Sequence, residues 1–367
     1  MKPGIIQLLT QGATFATWMF VVVVAKEELS LDDTSIAVVA AAFAATTFIS
    51  NYVFGRASDI YGRRIFLWLG LITCSVAFLL QNLMFDFWSY LGLRMLTGVA
   101  LGIYPAALIA YVHESKGKLG NFSSYGAIGW LIAMITAGII AEAFFLRSVF
   151  YLSSFMFAVS FVFTLGLPSI KHKRIKVPLF PKDLLKKNSA VYLGILIRHS
   201  GANLMWVFWP LYLQNLGANY FWIGIITGIN AVTQALVMYF IVDRIDCKRS
   251  IYIGLFLSGI TFISFAAAQN YYQLLPTQLL LGASYAFMYV GALIYLNQFN
   301  KERGTAIGLL GSTLNLSSII GSLFAVILIA IFGDYRWIIL FAALMAFIAL
   351  GVFWLLIKKD ENVCIPG

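Results

Sequence analysis

The chain has 367 residues, of which 61% are apolar and only 11% charged, and its formal net charge is +10. A soluble domain carries about a quarter of its residues charged, so this composition excludes a water-soluble fold. The apolar residues also run in uncharged blocks, such as Ile319 to Phe332 and Leu8 to Ala25, the latter with the full length and character of a membrane-spanning helix.

Cutting the chain at clusters of charge and turn residues predicts a first span at 4–25, with Thr14 and Trp18 at mid-depth. No small-residue cleavage site follows it, so it reads as a span and not as a removed signal segment. Glu27, Glu28, Asp32 and Asp33 then make an outer loop of solvated charge, and a second span covers 36–54. The next connection reads Gly55-Arg-Ala-Ser-Asp59-Ile-Tyr-Gly62-Arg63-Arg64. So short a link needs glycine for its backbone angles and close approach. Its carboxylate can sit at a neighbouring helix N-terminus, and its arginines can pair with carboxylates or lipid phosphate.

Spans three to six are predicted at 65–84, 88–111, 123–143 and 148–167. Span four holds Arg94 near its outer end and Tyr104 deeper. An arginine inside a span costs about 2.5–3.5 kcal/mol, so Arg94 either has a task or snorkels to the head groups. Span five carries Trp130, has Gly126, Gly129 and Gly138 at spacings that suit close helix packing, and places Glu142 near its outer end.

A basic linker at 168–189 joins this set to a second one, predicted at 190–213, 220–241, 251–268, 272–298, 305–332 and 336–357, with a tail at 358–367. Span seven contains Arg198, His199, Asn203 and Trp206. Asn230 and Gln234 follow in span eight, Tyr285 and Tyr289 in span ten, and Asn315 in span eleven. Arg198 and His199 either attract or gate an anion, or Arg198 snorkels to the inner face. The cysteines at 74, 247 and 364 show no CxxC spacing and make no metal-site pattern.

Twelve spans put both termini on one side. Assigning that side to the cytoplasm places 20 of the 25 basic residues there, which satisfies the positive-inside rule. The net charge is then topological and meets anionic lipid, and nucleic-acid binding is not expected. The two sets also match at an offset of 184 residues. Asp59 falls on Asp243, Arg64 on Lys248, Gly98 on Gly282, Tyr111 on Tyr295 and Gly120 on Gly304. This argues for a duplicated six-helix unit, 1–167 and 190–357, in parallel orientation.

The loop at Gly55–Arg64 resembles the GxxxD(R)xGRR motif of the major facilitator superfamily, with Ile60 where arginine is usual. The resemblance implies an all-α fold of twelve transmembrane helices in two pseudo-symmetric bundles. It also implies that Gly55, Asp59, Gly62, Arg63, Arg64 and, in the second copy, Asp243 form a loop that holds the inner side shut in one state. Leu91–Gly102, with Arg94, resembles a second motif of proton-coupled members, whereas the proline of the drug/proton antiporter motif is missing from span five.

In such a transporter the solute binds at the midplane, and the polar and aromatic residues there are Thr14, Trp18, Tyr104, Trp130, Asn203, Trp206, Asn230, Gln234, Tyr285, Tyr289 and Asn315. Amides facing aromatics suit an uncharged or weakly polar, sugar-like or amphipathic solute. The same amides can instead be glue between helices. No acid lies at mid-span, so the usual proton-coupling device is absent, and Arg94, Glu142, Arg198 and His199 are the remaining candidates for coupling or anion contact. The expected partners are a small-molecule substrate and membrane lipid, with protons or another ion as an open alternative. The chain is expected to act as a monomer in the plasma membrane, without cofactor or metal. The alternatives are a proton-coupled drug or organic-anion exporter of the same fold, a polytopic membrane enzyme, which would need a second acid cluster beside Asp32–Asp33, and a transporter-like sensor.

Overall fold

The computed structural model describes residues 2–168, 170, 175, 177–206, 208–218 and 220–357, and every regular element among them is helical. In chain order these are α1 (Lys2–Glu27), α2 (Asp33–Tyr61), α3 (Arg63–Leu80), α4 (Phe87–Ile103), α5 (Pro105–Glu114), α6 (Leu119–Ala143), α7 (Ser148–Leu165) and the short α8 (Lys182–Lys187). They continue as α9 (Ser189–Trp206), α10 (Trp209–Asn215), α11 (Tyr220–Phe240), α12 (Cys247–Ala267), α13 (Leu274–Phe299), α14 (Arg303–Phe332) and α15 (Tyr335–Ile357), with short 3-10 turns between some of them. Among the described residues, eleven stretches are long and apolar enough to cross a bilayer. A helix satisfies its own backbone hydrogen bonds, which hydrocarbon cannot do for it, so the chain is a multi-pass membrane protein of the all-α class.

Span seven, expected at 190–213, is absent from those eleven. Two causes are visible. Arg198, His199 and Asn203 lower the hydropathy of α9, and the segment divides into α9 and α10, with Pro210 in the first turn of α10. Proline is harmless at a helix start and disruptive inside one. Pro105 begins α5 in the same way, yet α4 and α5 together still form one apolar stretch, Phe87–Glu114.

By contacts the chain divides into two compact units. One is Met1–Leu179 with Asn300–Ser312, and the other is Phe180–Phe299 with Thr313–Gly367. In the first, α1 packs on α6 and α7, α2 on α4, and α3 on α4 and α7. In the second, α9 packs on α15, α11 on α13, and α12 on α13 and α15. The 184-residue offset runs through this architecture: α3 starts at Arg63 and α12 at Cys247, while α6 starts at Leu119 and α14 at Arg303.

Close helix approach repeats with the same offset. A Cβ on Gly98 of α4 would meet the Phe43 carbonyl of α2 at 2.7 Å, and one on Gly282 of α13 would meet the Asn230 carbonyl of α11 at 2.8 Å. In span five, Gly126 lies on Gln7 and Gln11 and Gly129 lies on the Leu8 backbone. A Cβ on Gly138 would meet nothing within 4 Å among the described residues, so the packing expectation fails there.

Charges that the sequence assigns to one side meet one another. Glu28 pairs with Arg147 at 2.5 Å. At the other end of α1, Lys2 donates to the Gly166 carbonyl at 3.0 Å. Asp86 caps α4 by accepting from the Ser89 N–H at 2.8 Å, and Ser89 Oγ accepts from the Asp86 N–H at 3.0 Å. The Ser89 hydroxyl and N–H hold the Asp86 carboxyl below its ordinary value.

Candidate functional site

Asp59 stands in the last turn of α2, and the chain turns into α3 after one residue. That residue is Gly62, whose φ of 103° is open to glycine and strained for other side chains. Its N–H closes α2 on the Ser58 carbonyl at 3.1 Å. The sharp turn brings Arg63 back beside Asp59, with Nη1 2.6 Å from Oδ1.

The Asp59 carboxylate is fully buried and caps a helix distant in sequence. It accepts from the N–H of Gly304 at 2.9 Å, from the N–H of Thr305 at 2.6 Å and from the Thr305 hydroxyl at 2.6 Å. Gly304 and Thr305 lie in the first turn of α14, where N–H groups have no helical partner and the helix dipole favours an anion. Arg63 extends the network to Ser58 Oγ at 2.8 Å and to Glu114 Oε1 at 2.9 Å, and Arg303 reaches Glu114 at 3.7 Å.

The helices meet at glycine around this network. A Cβ on Gly55 would strike the Gly304 carbonyl and would lie 2.9 Å from Gly308 Cα. Ser312 of α14 is buried and donates to the Phe48 carbonyl of α2 at 2.7 Å. Ser58, Glu114, Gly304 and Thr305 were not singled out from the sequence, although the match of Gly304 with Gly120 was a signal for one of them.

Arg64 takes no part in the network. Its Nη2 donates to the Leu165 carbonyl at 3.3 Å, and its guanidinium lies 4.7 Å from the Trp68 ring centre. Asp243 is buried in the 3-10 turn Val242–Arg244, and Asp246 caps α12 through the Arg249 N–H at 2.9 Å.

Among the mid-span residues of the first unit, Tyr104 is buried against Phe157, and the Thr14 hydroxyl donates to the Thr10 carbonyl of its own helix at 2.9 Å. Phe15 lies between Trp130, at 5.1 Å, and Trp18, at 6.1 Å. Trp18 is 60% exposed, whereas Trp130 Nε1 is buried with no acceptor among the described residues. Arg94 does not snorkel. It is buried, with its guanidinium 4.1 Å from the Phe43 ring centre and Nη1 3.5 Å from Gln81 Oε1. The Glu142 side chain lies outside the described residues.

In the second unit Asn203 donates to the His199 carbonyl of its own helix at 2.8 Å, and Gln234 donates to Asn230 Oδ1 at 3.0 Å, both of the latter buried. Trp206 lies edge-on to Trp209 at 5.6 Å, and Asn315 is half-buried in α14. Tyr285 and Tyr289 are stacked, 5.4 Å apart and 10° from parallel, with His199 6.2 Å from Tyr285. Arg198 does not snorkel either. It is 2% exposed, donating to Ser258 Oγ at 2.8 Å and to Ser284 Oγ at 3.3 Å.

Likeness to known proteins agrees with this architecture. In sequence, the chain is 25% identical over 309 residues to the multidrug resistance protein MdtG of Salmonella typhi, covering 78% of this chain and 76% of that one. In structure, it resembles the human organic anion transporter MFSD10 (TETRAN) with a TM-score of 0.76 and 14% identity, covering 96% of this chain and 98% of that one. A bacterial homologue of the iron transporter ferroportin, in an outward-facing state, gives a TM-score of 0.75 at 18% identity over 98% and 99% of the two chains. At such identities the structural likeness shows the fold alone. The Major Facilitator Superfamily profile, however, matches residues 4–233 and again 191–365. With that profile matched over both halves of the chain and the loop from Gly55 to Arg64 in place, the chain belongs to the Major Facilitator Superfamily, a family of transporters and not of enzymes.

Proposed function

We propose that the chain moves a small amphipathic organic solute across the cell membrane by alternating access, with both termini and the Asp59 loop on the cytoplasmic side. The observation that carries this reading is the capping of α14 by Asp59. α14 begins in the first compact unit and continues in the second, so a network that grips its first turn is placed to act on the whole helix. The network is intact when the inner side is closed and parts when it opens, a switch made of charge-assisted hydrogen bonds.

Two features support an amphipathic solute. The Trp18, Phe15 and Trp130 rings offer aromatic surface, and the buried Trp130 N–H is a donor without an acceptor among the described residues. The sequence relatives are multidrug resistance proteins by name, which points to the same class. Reconstitution into liposomes tests the reading: flux of at least one member of a panel of sugars, nucleosides, organic anions and lipophilic drugs is expected. No flux of any of them, in either direction and with or without a proton gradient, would overturn it.

A further inference from the structure

Arg198 has the largest side chain among the fully buried residues described. Among the described residues its partners are Ser258 Oγ, Ser284 Oγ, His199 Nδ1 at 3.4 Å and the Phe262 ring at 5.6 Å, and no Asp or Glu lies within ion-pairing distance. The serines are arranged to accept. Ser258 gives its proton to the Gly254 carbonyl and Ser284 gives its own to the Leu281 carbonyl, each at 2.8 Å. Their lone pairs orient the guanidinium and leave its charge uncancelled. An unpaired charge held away from water costs several kcal/mol.

The duplicated fold supplies its own control. At the 184-residue offset Arg198, Ser258 and Ser284 correspond to Thr14, Cys74 and Ala100, so the same place in the first unit is built without any charge. The architecture does not require a cation there, and the second unit bears that cost for some other reason.

The residues in front of Arg198 are suited to a ligand. His199, Tyr285 and Tyr289 are only half-buried. Because His199 Nδ1 faces a guanidinium N–H, which can only donate, it must accept, and the imidazole proton belongs on Nε2. Neither tyrosine hydroxyl has a hydrogen-bond partner among the described residues. One N–H donor and two O–H donors therefore stand beside an aromatic stack, backed by a buried positive charge.

We propose that this cluster in the second unit is the recognition point for the carboxylate of an aromatic organic anion. The carboxylate takes hydrogen bonds from His199 and from Tyr285 or Tyr289, the ring of the solute lies against the tyrosine stack, and Arg198 supplies the charge from behind. This narrows the transporter reading above and rests on it.

The test uses a matched pair of probes, 1-naphthoate and the neutral 1-naphthamide, titrated against the purified full-length protein in lipid nanodiscs. Wild type is expected to bind the carboxylate at least about tenfold more tightly than the amide, as charge-assisted hydrogen bonds imply. Arg198→Gln is expected to bring the two affinities within about threefold by weakening the carboxylate and leaving the amide. Where Arg198→Gln does not fold, the Tyr285→Phe/Tyr289→Phe protein keeps both rings, and the carboxylate preference should fall by about tenfold. Equal binding of the two probes by wild type, binding of neither, or an unchanged preference in the variants overturns the proposal. Transport of the amide by the same protein in liposomes would then show that the transporter reading survives without the anion site.

Discussion

Asp59 and Thr305 are 246 residues apart in sequence and share two hydrogen bonds of 2.6 Å, one through the backbone and one through the threonine hydroxyl. Replacing Asp59 with Asn keeps the shape and removes the charge, leaving Glu114 as the one carboxylate paired with Arg63 among the described residues. The loss should be about 3 kcal/mol, roughly a hundredfold in an open–closed equilibrium. Ser312, buried at the same α2–α14 contact, is the place to read it. In a background lacking the native cysteines, Ser312→Cys should react slowly with a hydrophilic thiol reagent, and Asp59→Asn should speed that reaction at least about tenfold. An unchanged rate would remove the gating role from Asp59.

Sterics give a second route to the same state. Gly55→Ala puts a Cβ against the Gly304 carbonyl and Gly308 Cα, which are backbone atoms and cannot swing aside. A cost of about 1–3 kcal/mol is expected at this contact, with the same rise in Ser312→Cys reactivity. Gly138→Ala, in open space, is the control and should leave the rate as in wild type. Equal behaviour of the two alanine variants would show that close approach at Gly55 is not what matters.

The spans, the duplication and the family were legible because each is a pattern summed over many residues. The loop glycines and acid were legible too, since so short a turn leaves few residue types open. What Asp59 holds was harder to see: a helix N-terminus 245 residues away leaves only weak local marks, and Gly304 stood out only through its repeat mate. The burial of Arg198 and Arg94 was not legible at all. Position along a helix tells how far a side chain is from the head groups, but not which way it faces. The hydroxyls that receive Arg198 sit on α12 and α13, 60 and 86 residues on. The break in span seven was hidden for another reason, because the apolar run continues past Pro210.

The cap on α4 predicts a pH signature. Ser89 holds the Asp86 carboxyl below its ordinary value, 3.8. A carboxyl depressed in the folded state contributes stability that is fully present above its unfolded value and is lost as pH falls through the folded one. The melting temperature of Asp86→Ala should therefore lie below that of wild type at pH 7, and the gap should narrow as the pH drops below about 3.8. A gap that is constant with pH would mean that the cap acts without its charge.

Arg94 and Phe43 supply the last test, of what holds a buried arginine that has no carboxylate partner among the described residues. The guanidinium lies 4.1 Å from the ring centre, close enough for a desolvated cation–π contact worth up to about 2 kcal/mol, while the bond to Gln81 is long at 3.5 Å. Phe43→Leu removes the π face and some volume, and Arg94→Met removes the charge and keeps most of the stem. If the contact carries the arginine, Phe43→Leu should cost clearly more with Arg94 present than in the Arg94→Met background, with a coupling of about 1–2 kcal/mol in a double-mutant cycle of thermal stability. Additive losses would assign the cost of Phe43→Leu to packing alone. Arg94 would then be held by Gln81, and the Gln81 amide would become the group to remove next.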